Sequence, residues 1–241
     1  MTLLIDRSAT VDRVPLGDGS SWVDVVRGFV PAHQDLFTLL HEETRWQQAE
    51  VLRYDKYVPE KRLGAMVRAD TVTAVRQTGL HLESRYRVKF EGVGALLYRD
   101  GQDFQGLHSD RAMKWLDDTL IGIVVLGQRR PFVLRERNGS ANDRDRTPAG
   151  QAPDDIDLQP GEGDLIVMGG RCQRDWLHGV PAADTDQPRI SLTWRWTPGA
   201  VHPTRIPATS TAASSATAPT NPAIARALPN AFAHYERGVR A

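Results

Sequence analysis

Short apolar runs separated by turn signals dominate the chain from Tyr86 onward. Each run has the length of a strand, and there are eight of them: YRVKF, GALLY, LIGIVVL, PFVLRER, IDLQ, GDLIVM, WLHGV and RISLTWRW. Asp-Gly, Asn-Gly and Pro-Gly pairs, which are common turn dipeptides, lie between them. Strands at this spacing predict an antiparallel sandwich or barrel across residues 86–197.

The pattern before Tyr86 is mixed. SWVDVVRGFV predicts a strand, and Leu36, Leu39 and Leu40 recur at helical spacing after Pro31. WQQAEVLRY predicts a strand or an extended segment, and residues 67–78 predict a second helix. Residues 1–20 have no regular pattern and predict an irregular lead-in. We therefore expect a mainly β protein with an α-containing N-terminal part packed on the β unit.

The composition changes beyond Thr197. PATSTAASSATAPTNPA has no charge and no bulky apolar residue, so it cannot bury enough surface to offset the entropy cost of ordering. The sequence predicts one domain over residues 21–198 and a low-complexity, disordered tail over residues 199–241.

Charge and cysteine content narrow the class of protein. Lys and Arg together number 30, as do Asp and Glu, so no global field attracts nucleic acid or membranes, although a local basic face stays possible. The single cysteine, Cys172, excludes an intrachain disulfide and fits a reducing compartment. No window has the ~18 consecutive apolar residues of a membrane span, and the N-terminus is charged too early for a signal peptide. We expect a cytoplasmic protein that does not bind membranes.

Three residues form a candidate metal site. His108 and Asp110 are two apart, so on a strand they would share one face. His178 lies on another predicted strand. Two histidines and one carboxylate leave half of a coordination sphere open, as non-haem Fe(II) enzymes require. The alternative is a pair of surface polar residues or a simple His–Asp hydrogen bond.

The run RISLTWRW has two chemically different faces. One face is apolar and predicts packing against the helical layer: Ile190, Leu192, Trp194 and Trp196. On the other face, Arg189 and Arg195 could hold a short dicarboxylic acid, because arginine pairs strongly with carboxylates. The alternative is that both arginines face solvent.

Together, LYRDGQDFQGLHSD, GDLIVMGGRCQRDWLHGVP and RISLTWR resemble the AlkB-like branch of the Fe(II)- and 2-oxoglutarate-dependent dioxygenases. The resemblance covers roughly residues 20–197 and implies a double-stranded β-helix, a form of jelly roll, with packed helices. It implies His108, Asp110 and His178 as metal ligands. It implies a 2-oxoglutarate site formed by Tyr98, Arg189, Ser191 and Arg195.

Two positions depart from the better-studied members of that family. Leu96 stands where they often have an asparagine that contacts the cosubstrate. Ala112 stands where they often have an acid that reads the exocyclic amine of a damaged base. The resemblance therefore defines the chemistry more closely than the substrate.

The implied activity is oxidative demethylation of alkylated bases in DNA or RNA, with Fe(II), 2-oxoglutarate and O2. Hydroxylation of an N-methyl carbon gives a hemiaminal, which collapses to formaldehyde and the repaired base. One alternative is the same oxidative chemistry on a small molecule, a lipid or a peptide. The other is an inactive member that only binds nucleic acid.

A base must leave its stack to reach such a site. Trp46, Phe104 and Trp115 are candidates to stack on it, with ordinary packing as the alternative for each. Residues 129–146 carry six arginines against three acids, which predicts either a loop that contacts phosphates or a solvated hairpin.

Overall fold

The computed structural model describes residues 4–199 except residues 18, 54, 69, 71 and 138–146. Within this part of the chain, twelve strands and three helices are present. The strands are β1 (Asp12–Leu16), β2 (Ser21–Val26), β3 (Gln47–Arg53), β4 (Lys56–Val67), β5 (Val93–Tyr98), β6 (Gln105–His108), β7 (Thr119–Gly127), β8 (Val133–Glu136), β9 (Ile156–Asp157), β10 (Leu165–Gly170), β11 (Trp176–Val180) and β12 (Arg189–Trp196). The helices are α1 (His33–Glu43), α2 (Thr73–Tyr86) and α3 (Cys172–Asp175).

The strands form two antiparallel sheets. The large sheet has the order β1-β2-β10-β7-β12-β5-β4-β3, and the small sheet has the order β6-β11-β8-β9. This arrangement confirms the predicted mainly β fold with few helices. None of the helices in the described ranges is long and apolar enough to cross a membrane.

Successive side chains of a strand point to opposite faces, so the two faces of the large sheet pack into two separate cores. The helix-side core contains Leu36 of α1 and Leu82 of α2 against large-sheet residues such as Leu192. The inter-sheet core contains large-sheet residues such as Val125 and small-sheet residues such as Leu134. The apolar face of β12 points into the helix-side core, as predicted. The opposite face of β12 therefore points toward the small sheet, where Arg189 and Ser191 are buried.

The N-terminal part is more closely joined to the β unit than we expected. β2 pairs with β10 and β4 pairs with β5, so both lie within the large sheet. The lead-in predicted to be irregular contains β1, which pairs with β2. Its single proline, Pro15, is tolerated because β1 is an edge strand. Hairpin pairing with β2, which itself pairs with β10, places this segment at the edge of the large sheet.

Two local predictions were wrong. YRVKF is not a strand: Tyr86 ends α2, and Arg87 follows in the left-handed conformation, with φ of 56°. The second helix spans Thr73–Tyr86 instead of residues 67–78, because Met66 and Val67 belong to β4. The predicted disordered tail, beyond Gly199, lies outside the described residues.

Candidate metal centre

The two histidines predicted as ligands are direct cross-strand neighbours. β6 and β11 pair in an antiparallel register that places His178 opposite His108. Facing residues of paired strands lie within contact distance, and the two imidazole centroids are 4.3 Å apart. The ring of Phe132 stacks on His178 at 5.8 Å from the other side. Sheet pairing therefore brings together residues that are 70 positions apart in the sequence.

Asp110 completes the group just beyond the end of β6. The backbone N–H groups of Met113 and Lys114 donate to the Asp110 carbonyl, which makes a tight turn. Asp110 Oδ1 lies 3.6 Å from His108 Nε2. The potential ligand atoms of His108, Asp110 and His178 all lie within 4.8 Å of one another. One divalent cation could therefore contact all three side chains.

His108 Nδ1 has two polar neighbours. It lies 2.9 Å from the carbonyl oxygen of Gly106, which can only accept, and 3.3 Å from Gln105 Nε2. The shorter contact, to Gly106, favours hydrogen on Nδ1, and this tautomer has its lone pair on Nε2, the atom that faces Asp110. Metal-binding histidines commonly donate their second ring N–H to a carbonyl in this way.

The electrostatic environment keeps Asp110 and His178 in their metal-binding forms. Burial, followed by the effect of His108, lowers the pKa of His178 to about 3, so its imidazole is neutral near pH 7. Burial opposes ionisation of Asp110, but Arg195 and the two histidines hold the pKa of this carboxyl well below its usual value. Neutral imidazole and carboxylate are the forms that bind metals. The donor set therefore fits Fe(II).

Arg189 is a fully buried cation. Its side chain is 0% exposed, and none of its three guanidinium nitrogens has a hydrogen-bond acceptor among the described residues. It lies opposite Tyr98 in the β5–β12 pair, with Cζ 5.5 Å from the centroid of the Tyr98 ring. Burial lowers its pKa to about 10, so it remains charged near neutrality. An unpaired buried charge is costly, and a carboxylate from a bound dicarboxylic acid would satisfy it.

Arg130 is a second buried arginine here, and sequence reasoning had assigned it only to a surface loop. Its Cζ lies 5.4 Å from the Tyr98 ring, and its guanidinium donates to the carbonyls of Asp100, Asp103 and Pro181. These bonds connect three loops beside the site. No spacing or motif in the sequence distinguishes Arg130 from its exposed neighbour Arg129.

Arg195 and Ser191 lie on the same face of β12 but have different surroundings. Arg195 Nε donates to Asp110 Oδ2 at 2.6 Å, so this guanidinium contacts a ligand carboxylate. Ser191 is buried opposite Leu96, which packs against the inter-sheet core. The Arg195 guanidinium therefore contacts Asp110, whereas the Arg189 guanidinium lies beside Tyr98.

The three candidate aromatic residues have different positions. Trp46 packs against the helix-side core, and its indole N–H donates to the carbonyl of His41, so the structure does not bring it to the metal ligands. Phe104 immediately precedes β6, and Trp115 lies five residues after Asp110. Their exposures are 38% and 73%, which leaves both available to a ligand. Ala112, between Asp110 and Trp115, is exposed as well.

The described arginines of the arginine-rich stretch bind groups of the protein itself. Arg129 pairs with Glu162 and Asp164. Arg130 and Arg135 are buried, with Arg135 paired to Asp155 at 2.6 Å. Arg137 donates to the Ser109 hydroxyl. Four of the six arginines therefore bind groups of the protein itself, and the last two, at positions 144 and 146, lie outside the described residues.

Comparison with known proteins supports a specific family. Residues 30–195 match the sequence model of the 2OG-Fe(II) oxygenase superfamily. The chain is 25% identical over 214 residues to the DNA oxidative demethylase ALKBH2 of Arabidopsis thaliana, covering 76% of this chain and 68% of the relative. It is 26% identical over 209 residues to the alpha-ketoglutarate-dependent dioxygenase alkB homolog 3 of Mus musculus, covering 80% and 72%.

A solved structure supports the fold. A prolyl hydroxylase from Trichoplax adhaerens, in complex with a hypoxia inducible factor peptide fragment, aligns with a TM-score of 0.52 over 72% of this chain and 83% of that one. Its sequence is 9% identical, so the likeness concerns the fold alone. These findings confirm the resemblance to the AlkB-like branch and the jelly-roll architecture.

Proposed function

The chain belongs to the 2OG-Fe(II) oxygenase superfamily, and from that premise we propose that it oxidatively demethylates alkylated bases of DNA or RNA. The observation that carries the proposal is the similarity of most of the chain to a protein named as a DNA oxidative demethylase. The facial arrangement of His108, Asp110 and His178 supports the oxidative chemistry and argues against an inactive member.

The three ligand side chains would hold Fe(II), which together with 2-oxoglutarate and O2 supplies the hydroxylation of a C–H bond. Arg189 would bind the distal carboxylate of 2-oxoglutarate, because its buried guanidinium has no acceptor in the described chain. Tyr98 and Ser191, also buried on this side of the large sheet, would line the same cosubstrate. Arg195 would keep Asp110 ionised and oriented.

The two exposed aromatic residues that flank His108 and Asp110 in the sequence would contact the substrate. Trp115 and Phe104 are available on the two sides of the His108–Asp110 segment, and either ring could stack on an unstacked base. Stacking does not depend on base identity, because every base has a π-face. Ala112 provides no carboxylate to read an exocyclic amine, so shape and stacking would select the substrate more than hydrogen bonding.

The test is a product assay with the full-length, Fe(II)-loaded protein. Single- and double-stranded DNA and RNA oligonucleotides that carry one N-methylated base are incubated with 2-oxoglutarate and O2. We expect formaldehyde and demethylated oligonucleotide in equal amounts, as read by a formaldehyde assay and by mass spectrometry. The His108→Ala variant removes one metal ligand and should abolish both products. Near-wild-type turnover by this variant would refute the metal assignment.

One alternative retains support from specific observations. Ala112 removes a base-reading acid, and Arg129, Arg130 and Arg135 are committed to internal partners. Both facts fit a small molecule, a lipid or a peptide as the substrate. If 2-oxoglutarate is converted to succinate while every methylated oligonucleotide stays unchanged, the demethylase proposal fails and this alternative replaces it.

The compartment stays a prediction. A cytoplasmic location is supported by the single cysteine, Cys172, which is buried and not paired in a disulfide. Fluorescence microscopy of the tagged protein, or fractionation of cells that express it, would measure the compartment directly.

A further inference from the structure

The segment that carries Asp110 lies outside both sheets. β6 ends at His108, and the next strand, β7, begins at Thr119. The turn bonds from Met113 and Lys114 to the Asp110 carbonyl shape this segment, but they are internal to it. The position of Asp110 relative to His178 must therefore depend on contacts with other parts of the chain.

One such contact comes from Gln173, a residue with no metal-binding chemistry. The Gln173 side chain is buried, at 1% exposure, and its Oε1 accepts the backbone N–H of Asp110 at 3.0 Å. Because a backbone N–H can only donate, the amide oxygen must face Asp110, and the orientation of the side chain follows. Its Nε2 is buried without a hydrogen-bond partner among the described residues. A buried amide with one unsatisfied end calls for a specific explanation.

The backbone around Gln173 is held firmly by both sheets. Immediately before α3, the N–H of Arg171 donates to the carbonyl of Ser20, next to β2. At the end of α3, the carbonyl of Asp175 accepts the N–H of Arg137, next to β8. The residue after α3 begins β11, which carries His178. Gln173 is therefore a fixed point that connects the segment of one ligand to the strand of another.

We propose that Gln173 is a positioning residue of the metal centre, which places Asp110 relative to His178 and so raises the affinity for the divalent cation. Arg195 contacts the Asp110 carboxylate itself. Gln173 contacts only the Asp110 backbone N–H, so it does not reduce the negative charge on the ligand oxygens. The inference rests on the metal centre and is independent of the nucleic-acid substrate proposed above.

The test measures metal affinity instead of turnover. The full chain is titrated with Mn(II) under anaerobic conditions, and free Mn(II) is followed by electron paramagnetic resonance. Gln173→Met keeps the length of the side chain and removes the acceptor. We expect its affinity for Mn(II) to fall about 10–100-fold, the range found for partners that orient metal ligands.

Thr119→Val is the matched control. The Thr119 hydroxyl is buried and donates to the carbonyl of Gly170 at 3.0 Å, close to α3 but without contact to a metal ligand. Its substitution also removes one buried side-chain hydrogen bond to the backbone, and it should leave the Mn(II) affinity unchanged. An equal loss in both variants would show a general effect of destabilisation and would overturn the proposal.

Gln173→Asn provides an independent second variant. It keeps the amide but is one methylene shorter, so it cannot reach Asp110 from the same backbone position, and the same loss of affinity is expected. Wild-type Mn(II) affinity in either folded variant would contradict the proposal. If circular dichroism showed that neither variant folds, Gln173 would be a structural residue and not a positioning residue. Neither result depends on whether methylated oligonucleotides are substrates, so failure of this inference is distinguishable from failure of the demethylase proposal.

Discussion

Arg189, the residue proposed to bind 2-oxoglutarate, also has a cost in stability. The chain buries its guanidinium completely beside the Tyr98 ring, which a second arginine, Arg130, also approaches. Arg130 donates to three carbonyl acceptors through its two terminal nitrogens, whereas Arg189 has no acceptor in the described chain. Without a bound carboxylate, Arg189 should therefore destabilise the folded protein.

This contrast leads to a prediction for Arg189→Met. The affinity for 2-oxoglutarate should fall about 30-fold or more, since loss of one partner of a buried charge pair costs about 2–5 kcal/mol. The melting temperature of the protein without cosubstrate should stay the same or rise, because an unpaired buried charge is removed. The measurements are the KM for 2-oxoglutarate and a thermal melt.

Arg130→Met is the control for that prediction. It removes a guanidinium that joins three loops, so it should lower the melting temperature. An unchanged KM for 2-oxoglutarate in Arg189→Met would remove the cosubstrate role from Arg189.

At the scale of elements, the helical layer supports the sheet that carries the site. Leu82 of α2 is fully buried and lies over Gly122 of β7, where an added Cβ would be 2.8 Å from a Leu82 methyl carbon. A glycine in the middle of a strand often marks such a close approach. The helix therefore packs directly on the centre of the large sheet, while the opposite face of that sheet holds Arg189 and Tyr98.

Substitutions on α2 should separate packing from helix propensity. Leu82→Ala creates a cavity against the sheet and should lower the free energy of unfolding by about 2–5 kcal/mol. Leu80→Ala, on the same helix but 50% exposed, should change it by less than about 0.5 kcal/mol. Urea denaturation followed by circular dichroism measures both. Both variants make the same small change in helix propensity, so equal losses would contradict a specific role for the contact between Leu82 and the sheet.

At the scale of the whole molecule, three buried aspartates connect loops to the sheets through arginine. Asp103 pairs with Arg99, Asp155 with Arg135, and Asp164 with Arg27 and Arg129. Burial opposes ionisation of each, yet hydrogen bonds and the arginine charges hold the pKa of each carboxyl below its usual value. A carboxyl whose pKa is lower in the folded protein than in the unfolded chain stabilises the fold at pH values above its unfolded pKa. This contribution is lost as the pH falls through the folded-state pKa.

The protein should therefore lose stability in acid. As the pH falls from about 5 through the ordinary carboxyl range near 4, the free energy of unfolding should decrease, because the unfolded chain binds protons that the folded aspartates do not. Asp155→Asn removes the carboxylate that accepts two hydrogen bonds from the buried Arg135 guanidinium, and should cost about 3–5 kcal/mol near pH 7. The same variant should also show a smaller decrease in the free energy of unfolding as the pH falls. Urea titrations at several pH values measure both effects, and an identical pH slope in the variant would contradict this role of Asp155.

Much of the metal centre could be predicted from local sequence because its chemistry restricts residue types. The H-x-D spacing and the run WLHGV named the three ligand residues that the structure brings together. The alternation in RISLTWRW correctly predicted which face of β12 packs under the helices. Roles that depend on a distant partner could not be predicted in this way. Arg130 and Gln173 belong to no motif, and the sequence could not decide between substrate stacking and ordinary packing for Trp46, which packs against the helix-side core.

The sequence by itself determined which residues could bind a metal and which face of each core strand is apolar, because ligand chemistry and the two-residue period of a strand are local properties. Only the tertiary structure placed His178 opposite His108 and Arg195 against Asp110. It also paired Arg135 with Asp155, and it included the four N-terminal strands, β1, β2, β3 and β4, in the large sheet. Those outcomes depend on strand register and on contacts between segments far apart in the chain. Register is set by the best common packing of the whole sheet, and no short stretch of sequence contains that information.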